Sequence, residues 1–357
     1  MLVYIFIFLI LLLLSTFEIL FKNKKIVFIN GSVLAALAGF RYRSGYDFNN
    51  YSNFYDELNN IGDVFNGSID AESGYLFLNY LFIKLGLNFY TFVLFFSIIS
   101  IGMLVFYVYK NTSYPSLILM YYYARFFFAR DMGQIRASFV SILLLYSLKY
   151  IKKKELIKFL LIVLFASTFH ITALIFILAY LFKNYFPQLD KKNVLLLLGA
   201  TVVIGVIVQI PNLYLWAVPY RYIGYFTNPT FTGGKWLLNP VLLMQMLIFL
   251  GAYLFSDIQE DKQFAFYHKI YFLASLILIS FGDLATVGGR LSSPFATYEM
   301  FVVPYFILSF TRNKLLNVFL FLGFTVVIFF FFFIFSGDYV FFFSYYTLLF
   351  VCYFIFF

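Results

Sequence analysis

The chain has 357 residues, of which 63% are hydrophobic and 11% charged, and its mean hydropathy is +0.91. Soluble domains hold about 45–50% apolar and about 25% charged residues, so a soluble enzyme, a nucleic-acid-binding domain and a disordered chain are all excluded. The +9 balance, from 25 Lys plus Arg against 16 Asp plus Glu, reads as a topology signal and not as a surface for polyanions.

A helix needs about 20 apolar residues to cross the hydrocarbon. By that measure the sequence predicts spans near 2–21, 26–40, 89–109, 113–129, 134–151, 193–209, 237–255, 267–286, 295–311, 315–335 and 339–357. The expectation is an all-α polytopic membrane protein forming one integral domain over 1–357. It has about 11 transmembrane helices, a large outer loop over 41–88 and a second over 210–236. The N-terminal stretch lacks a basic region and a small-residue cleavage site, and reads as a retained span. Cys352 is the single cysteine, which excludes a disulfide framework and a thiolate metal site. The 54 Phe read as lipid-tolerated background, not as a ligand cage.

Two stretches do not fit that length. Residues 75–87 give about three apolar turns and carry Lys84, which suits a helix lying in the interface. Residues 157–183 form a run of 27 with His170 near its centre, readable as one tilted helix or as two halves folding back at Thr168–His170. Charge decides between them. Lys22, Lys24 and Lys25, the cluster Lys149 to Lys158, Lys262, Lys269, Arg312 and Lys314 mark the cytoplasmic side by the positive-inside rule. Lys183, Lys191 and Lys192 join them only if 157–183 is a re-entrant hairpin.

That topology sorts the cations. Of the 17 lysines, all but Lys84 and Lys235 fall inside, whereas seven of the eight arginines fall outside: Arg41, Arg43, Arg125, Arg130, Arg136, Arg221 and Arg290. Arginine offers a planar fork matched to phosphate and carboxylate; snorkelling to headgroups explains a single case better than it explains the set of seven.

The outer loop 41–74 is the most polar stretch and holds six carboxylates, Asp47, Asp56, Glu57, Asp63, Asp70 and Glu72, among Tyr, Asn and Gly. Such a mixture suits sugar hydroxyls and C–H faces. A second group, Arg125 to Arg136, sets three guanidiniums, Asp131 and Gln134 around a turn at Gly133, with Gln134 and Arg136 opening a helix whose amides favour an anion. In a third, Gly288-Gly289-Arg290 and Pro294 frame a helix entry. Together they describe an electropositive outer pocket against lipid, suited to a lipid-linked pyrophosphate. His170, an ionisable group at membrane depth, is a functional candidate; His268 reads as ordinary. Asp70 and Glu72 form a D-x-E that could hold a divalent cation, but the arginines make a metal unnecessary, and no metal site or cofactor is expected. No P-loop, G-x-S-x-G or HExxH occurs.

Taken in order, these motifs resemble the EpsG-like branch of the Wzy polysaccharide polymerases. The matching pieces are Arg41-Tyr-Arg43-Ser-Gly45-Tyr-Asp47 with Tyr51, then Glu72-Ser-Gly74-Tyr75 leading to Leu78-Asn79. Gln134-Ile-Arg136-Ala-Ser, the Lys152–Lys154 turn, Ala166-Ser-Thr-Phe-His170, and Arg290 ahead of a Pro304-containing helix complete the set. The family often has Pro after the His, where this chain has Ile171. The resemblance implies a glycosyltransferase in the bacterial cytoplasmic membrane with its active site facing outward. It would join undecaprenyl-pyrophosphate-linked repeat units into O-antigen, capsule or exopolysaccharide. Membrane lipid, and a chain-length regulator protein, are the partners this implies; nucleic acid is not.

On that reading Arg136 and Arg290 take the donor pyrophosphate and Arg130 supports them. Arg41 and Arg43 lie nearer the glycan or the second lipid, and Tyr51 and Gln134 are further substrate-binding candidates. His170 is the first candidate for the general base, with Asp47 and Glu72 as alternatives. The rivals are a lipid-linked oligosaccharide flippase, which would more often show two related halves, and an O-antigen ligase-type transferase.

Overall fold

The computed structural model describes residues 2–186, 189–258, 260–335, 338–342 and 346–347. The side chain of Arg221, most of the expected span 339–357 and Cys352 with it lie outside the described residues. The fold is all-α and polytopic. In chain order the helices are α1 Leu2–Phe21, α2 Ile26–Gly39, α3 Phe48–Glu57, α4 Ser73–Lys84, α5 Phe89–Asn111, α6 Pro115–Tyr122, α7 Ile135–Leu145, α8 Leu148–Lys153 and α9 Leu156–Ser167. They continue as α10 Ile177–Tyr185, α11 Lys191–Val208, α12 Gly224–Thr227, α13 Pro240–Phe255, α14 Lys262–Phe281, α15 Ala285–Ala296, α16 Glu299–Leu308 and α17 Lys314–Phe329. Among the described residues, five helices are long and apolar enough to cross a membrane: α1, α5, α11, α14, and α17 with its π-helical extension to Phe335. The remaining apolar stretches form shorter helices.

The helix starts follow from local chemistry. Asn88, Asp190, Asn239 and Asp261 each accept amides of the first turn of α5, α11, α13 and α14, and Pro240 occupies the first position of α13. Where the sequence predicts 267–286, this cap sets the helix at Lys262–Phe281 instead. The stretch 134–151 breaks at Tyr146–Ser147 into α7 and α8, and 113–129 becomes α6 continued by a π turn, Tyr123–Phe127. The stretch 295–311 breaks at Thr297–Tyr298 between α15 and α16.

The chain forms two compact units that alternate along the sequence: residues 1–147, 164–171 and 318–357 make the first, and 148–163 and 172–317 the second. In the first unit α2 packs against α5 through glycines. A Cβ on Gly31 would collide with Val105, and one on Gly39 would come 3.1 Å from the Leu94 Cα. Small residues of this kind allow membrane helices to approach closely. A two-residue ladder, β1 Arg41–Tyr42 with β2 Tyr346–Thr347, runs antiparallel, and Gly45 donates its amide to the Phe341 carbonyl at 3.3 Å.

In the second unit α14 is the central helix, buried from Phe266 to Ser280. His268, fully buried, has its Nε2 3.0 Å from the Phe249 carbonyl oxygen and stacks its ring on Phe249 at 4.5 Å. That is the ordinary packed histidine the sequence suggests. The helical hairpin is also in view here. Phe159 of α9 lies 5.3 Å from the Tyr180 ring of α10, and the Lys183 ammonium donates to the carbonyls of Ile151 and Lys152 at 3.0 and 3.2 Å. The strand of chain that left α8 therefore returns beside it.

Candidate active site in the first unit

The break between the two halves of the hairpin falls at Thr168–His170, the position the sequence suggests. Thr168 and Phe169 are held in a tight turn: their amides donate to Phe165 and Ala166, and the Thr168 hydroxyl donates to the Phe165 carbonyl at 2.7 Å. Phe169, buried, packs on Phe139 of α7 with ring centroids 4.8 Å apart. That contact fixes the His170 turn against the helix that carries Arg136.

The long polar loop over 41–88 docks onto the same turn. The amides of Gly74 and Tyr75, at the start of α4, donate to the Thr168 carbonyl at 2.7 and 3.3 Å. Glycine is required here for space: a Cβ on Gly74 would lie 2.8 Å from the Thr168 backbone oxygen. Glu72 stands at the N-cap of α4 but makes no side-chain cap to its own helix. Its Oε2 pairs with the Arg136 guanidinium, and its Oε1 accepts the Ile171 amide at 2.9 Å. A single carboxylate thus joins Arg136 to the residue that follows His170.

Arg136, in the first turn of α7, has an aromatic surround. Its guanidinium lies 5.6, 5.4 and 5.5 Å from the rings of Tyr51, Phe54 and Tyr75, within the range of cation–π attraction. Tyr51 and Tyr75 are buried. Burial pushes both phenols above their ordinary range, so they serve as neutral walls and not as bases. With the side chain only 15% exposed, the guanidinium sits where water screens weakly and an anion is held strongly.

The other residues of the arginine-rich junction divide by surroundings. Asp131 is buried; it accepts the Tyr122 hydroxyl at 2.6 Å and the Ser138 hydroxyl at 2.9 Å. Burial raises its carboxyl above the usual range against the pull of those donors. Arg41, assigned to glycan from the sequence, is 1% exposed and donates to the carbonyls of Ala38 and Asp131 at 2.7 and 2.9 Å. These bonds tie the end of α2 to the junction. Arg130 is buried with its guanidinium 4.2 Å from the Phe126 ring. Arg43 is exposed, in a left-handed backbone conformation at φ 46°, beside Tyr42 at 5.5 Å. Gln134 is exposed at the N-cap of α7 and Asp47 half-buried at that of α3. Gly133 is needed for space in the turn: a Cβ there would come 2.5 Å from the Ala129 backbone oxygen and 2.7 Å from the Tyr46 ring.

In the second unit Arg290 is not at a helix entry, as its Gly and Pro neighbours suggest, but inside α15. Gly288 permits this by letting α15 pack closely on the end of α14, where a Cβ would meet the Phe281 oxygen at 2.7 Å. Pro294 stays within the helix and withholds the amide that would bond the Arg290 carbonyl. The Arg290 guanidinium lies 4.9 Å from the Tyr225 ring.

The first unit therefore brings together Arg136, Glu72, Tyr51 and the His170 turn. Sequence reasoning missed Phe54, Tyr75 and the Thr168 carbonyl, although Gly74 and Tyr75 sit in one of the motifs it singled out. The fold defines an all-α polytopic membrane protein, and this site gives it a shielded guanidinium beside a histidine-bearing turn. A model of the EpsG family matches residues 24–348, and the chain belongs to that family. Membership makes it a membrane protein related to polysaccharide biosynthesis. No curated protein and no solved structure matches it.

Proposed function

We propose that the protein is a polysaccharide polymerase, transferring a growing glycan from a lipid pyrophosphate to the end of a lipid-linked repeat unit on the outer face of the cytoplasmic membrane. The observation that carries this reading is the junction of Arg136 and Glu72 with the Ile171 amide beside His170. Glycosyl transfer from a pyrophosphate develops negative charge on the leaving group and positive charge at the anomeric carbon. A preorganised cation in a water-poor site stabilises the former, and one such donor is worth about 10²–10³ in rate. Arg136 fits that role: the Glu72 carboxylate it holds occupies the position a phosphate oxygen would take. The acceptor hydroxyl needs a base within reach, and an imidazole, titrating ordinarily near about 6.5, suits neutral pH. His170 is the base on this reading. Glu72 becomes a positioning group, and Arg290 keeps its assignment to the lipid-linked substrate.

Deletion of the gene followed by glycan electrophoresis tests the function. Single-repeat products support a polymerase; repeats stranded on the inner leaflet with no exported glycan would establish a flippase instead. In the deleted strain Arg136→Ala and Arg290→Ala are expected to restore membrane protein but not long glycan. Long chains from both variants would remove the pyrophosphate assignment.

A further inference from the structure

The second unit carries a cationic cluster that the proposed chemistry does not use. Lys152, Lys183 and Lys269 come from α8, α10 and α14. Lys152 and Lys183 flank one aromatic ring, their ammoniums 5.3 and 5.8 Å from the Phe266 centroid. Lys269, one turn further along α14, donates to the Phe186 carbonyl at 2.7 Å. Like charges gathered at one place repel, and the carboxylate acting on Lys152 is that of Asp261.

The same face continues into an apolar groove. Leu273, four residues beyond Lys269 on α14, lines a groove of about 350 Å³ together with Leu178, Leu181, Phe182, Tyr185 and Phe186. Phe186 belongs to both features: its carbonyl accepts from Lys269, and the residue lines the groove. Leu178, Leu181 and Tyr185 are well exposed, so the groove opens sideways. A stripe that passes from Phe266 through Lys269 to Leu273 thus changes from cationic to apolar within two helical turns.

We infer that this face binds an anionic phospholipid, its headgroup phosphate against Lys152, Lys183 and Lys269 and an acyl chain along the Leu178–Leu273 groove. A free phosphate would leave the groove unused, and a zwitterionic lipid would bring its own cation to the lysines. Lysine sorting puts this end of the hairpin on the cytoplasmic side, where anionic lipids favour basic residues at the surface. Lipid bound there clamps the return limb of the hairpin to α14.

The test uses the full-length purified protein, delipidated in detergent and offered equal parts phosphatidylglycerol and phosphatidylcholine, with retained lipid read by native mass spectrometry. The expected result is preferential retention of phosphatidylglycerol. Lys152→Gln, at an exposed position, is expected to reduce that preference about fivefold. Leu178→Trp, which fills the groove, is expected to reduce phosphatidylglycerol retention while leaving competition by inorganic phosphate unchanged. Melting in phosphatidylcholine alone shows whether each variant is folded. Equal retention of the two lipids, an unchanged preference in folded Lys152→Gln, or inorganic phosphate competing as well as the lipid would overturn the assignment.

Discussion

Arg136 and Glu72 act as one residue pair, and substitutions at Glu72 separate its two contacts. Glu72→Gln can still accept the Ile171 amide but presents no charge to Arg136, whereas Glu72→Ala loses both bonds. The expected order of thermal stability is wild type, then Glu72→Gln, then Glu72→Ala, with the last about 1–3 kcal/mol below wild type; equal melting of the two variants would show that the amide bond contributes nothing. Gly74→Ala pushes a methyl group against the Thr168 carbonyl and is expected to cost about 1–3 kcal/mol, measured by the same melting assay. At this scale the sequence was legible for chemistry and not for burial. Arg136, Glu72 and His170 could be picked out as residue types in a polar outer region. That Arg41 would instead be consumed by two carbonyls depends on Asp131, some ninety positions away, and no local pattern records it.

Among elements, the helical hairpin follows from charge placement. A fully crossing helix would have put Lys183 at the opposite end from Lys152; the ammonium instead reaches the Ile151 and Lys152 carbonyls. A reporter fused after Lys192 should therefore remain inside the cell, and an exported reporter would contradict the re-entrant reading. The polar loop over 41–88 offers a pH-dependent element. Asn60 and Asp63 form a capping box on the short 3₁₀ turn Ile61–Val64, and the amides of Asn60 and Asn59 hold the Asp63 carboxyl below the usual carboxylate range. A depressed pKa gives an ordering contribution that is present above the ordinary value near 3.8 and lost as pH falls through the folded value. The protection of the Asn59 and Asn60 amides, read as exchange relative to the intrinsic rate at each pH, should accordingly fall only under acid conditions below that point. Helix breaks were the least legible feature. Thr297–Tyr298 and Tyr146–Ser147 contain no strong breaker, and Arg290 was misplaced because a Gly pair and a proline, normally punctuation, here serve close packing within α15.

For the whole molecule, composition settled the class while the alternation of the two units remained out of sight. Hydropathy describes each helix against lipid and says nothing about which helices share a core. The chain passes between the units at 147/148, 163/164, 171/172 and 317/318, so the Thr168 turn that receives α4 arrives from a later segment. A chain ended after Ser147 lacks that turn and should fail to accumulate in membranes; wild-type levels of a protease-resistant fragment would show the first unit to be complete without it.

The pairing of Arg136 with Glu72 also bears on turnover. A guanidinium that already holds a counter-anion does not gain a full ion pair when a phosphate arrives; it swaps one partner for another. Net affinity is then the difference between two similar attractions, so a site of this design grips a polyanion selectively yet loosely. On the proposed polymerase reading, in which a lipid pyrophosphate is discarded after each added repeat, exchange of anions would keep the spent carrier from becoming an inhibitor. The Glu72 carboxylate, returning to Arg136, would be what sends it away.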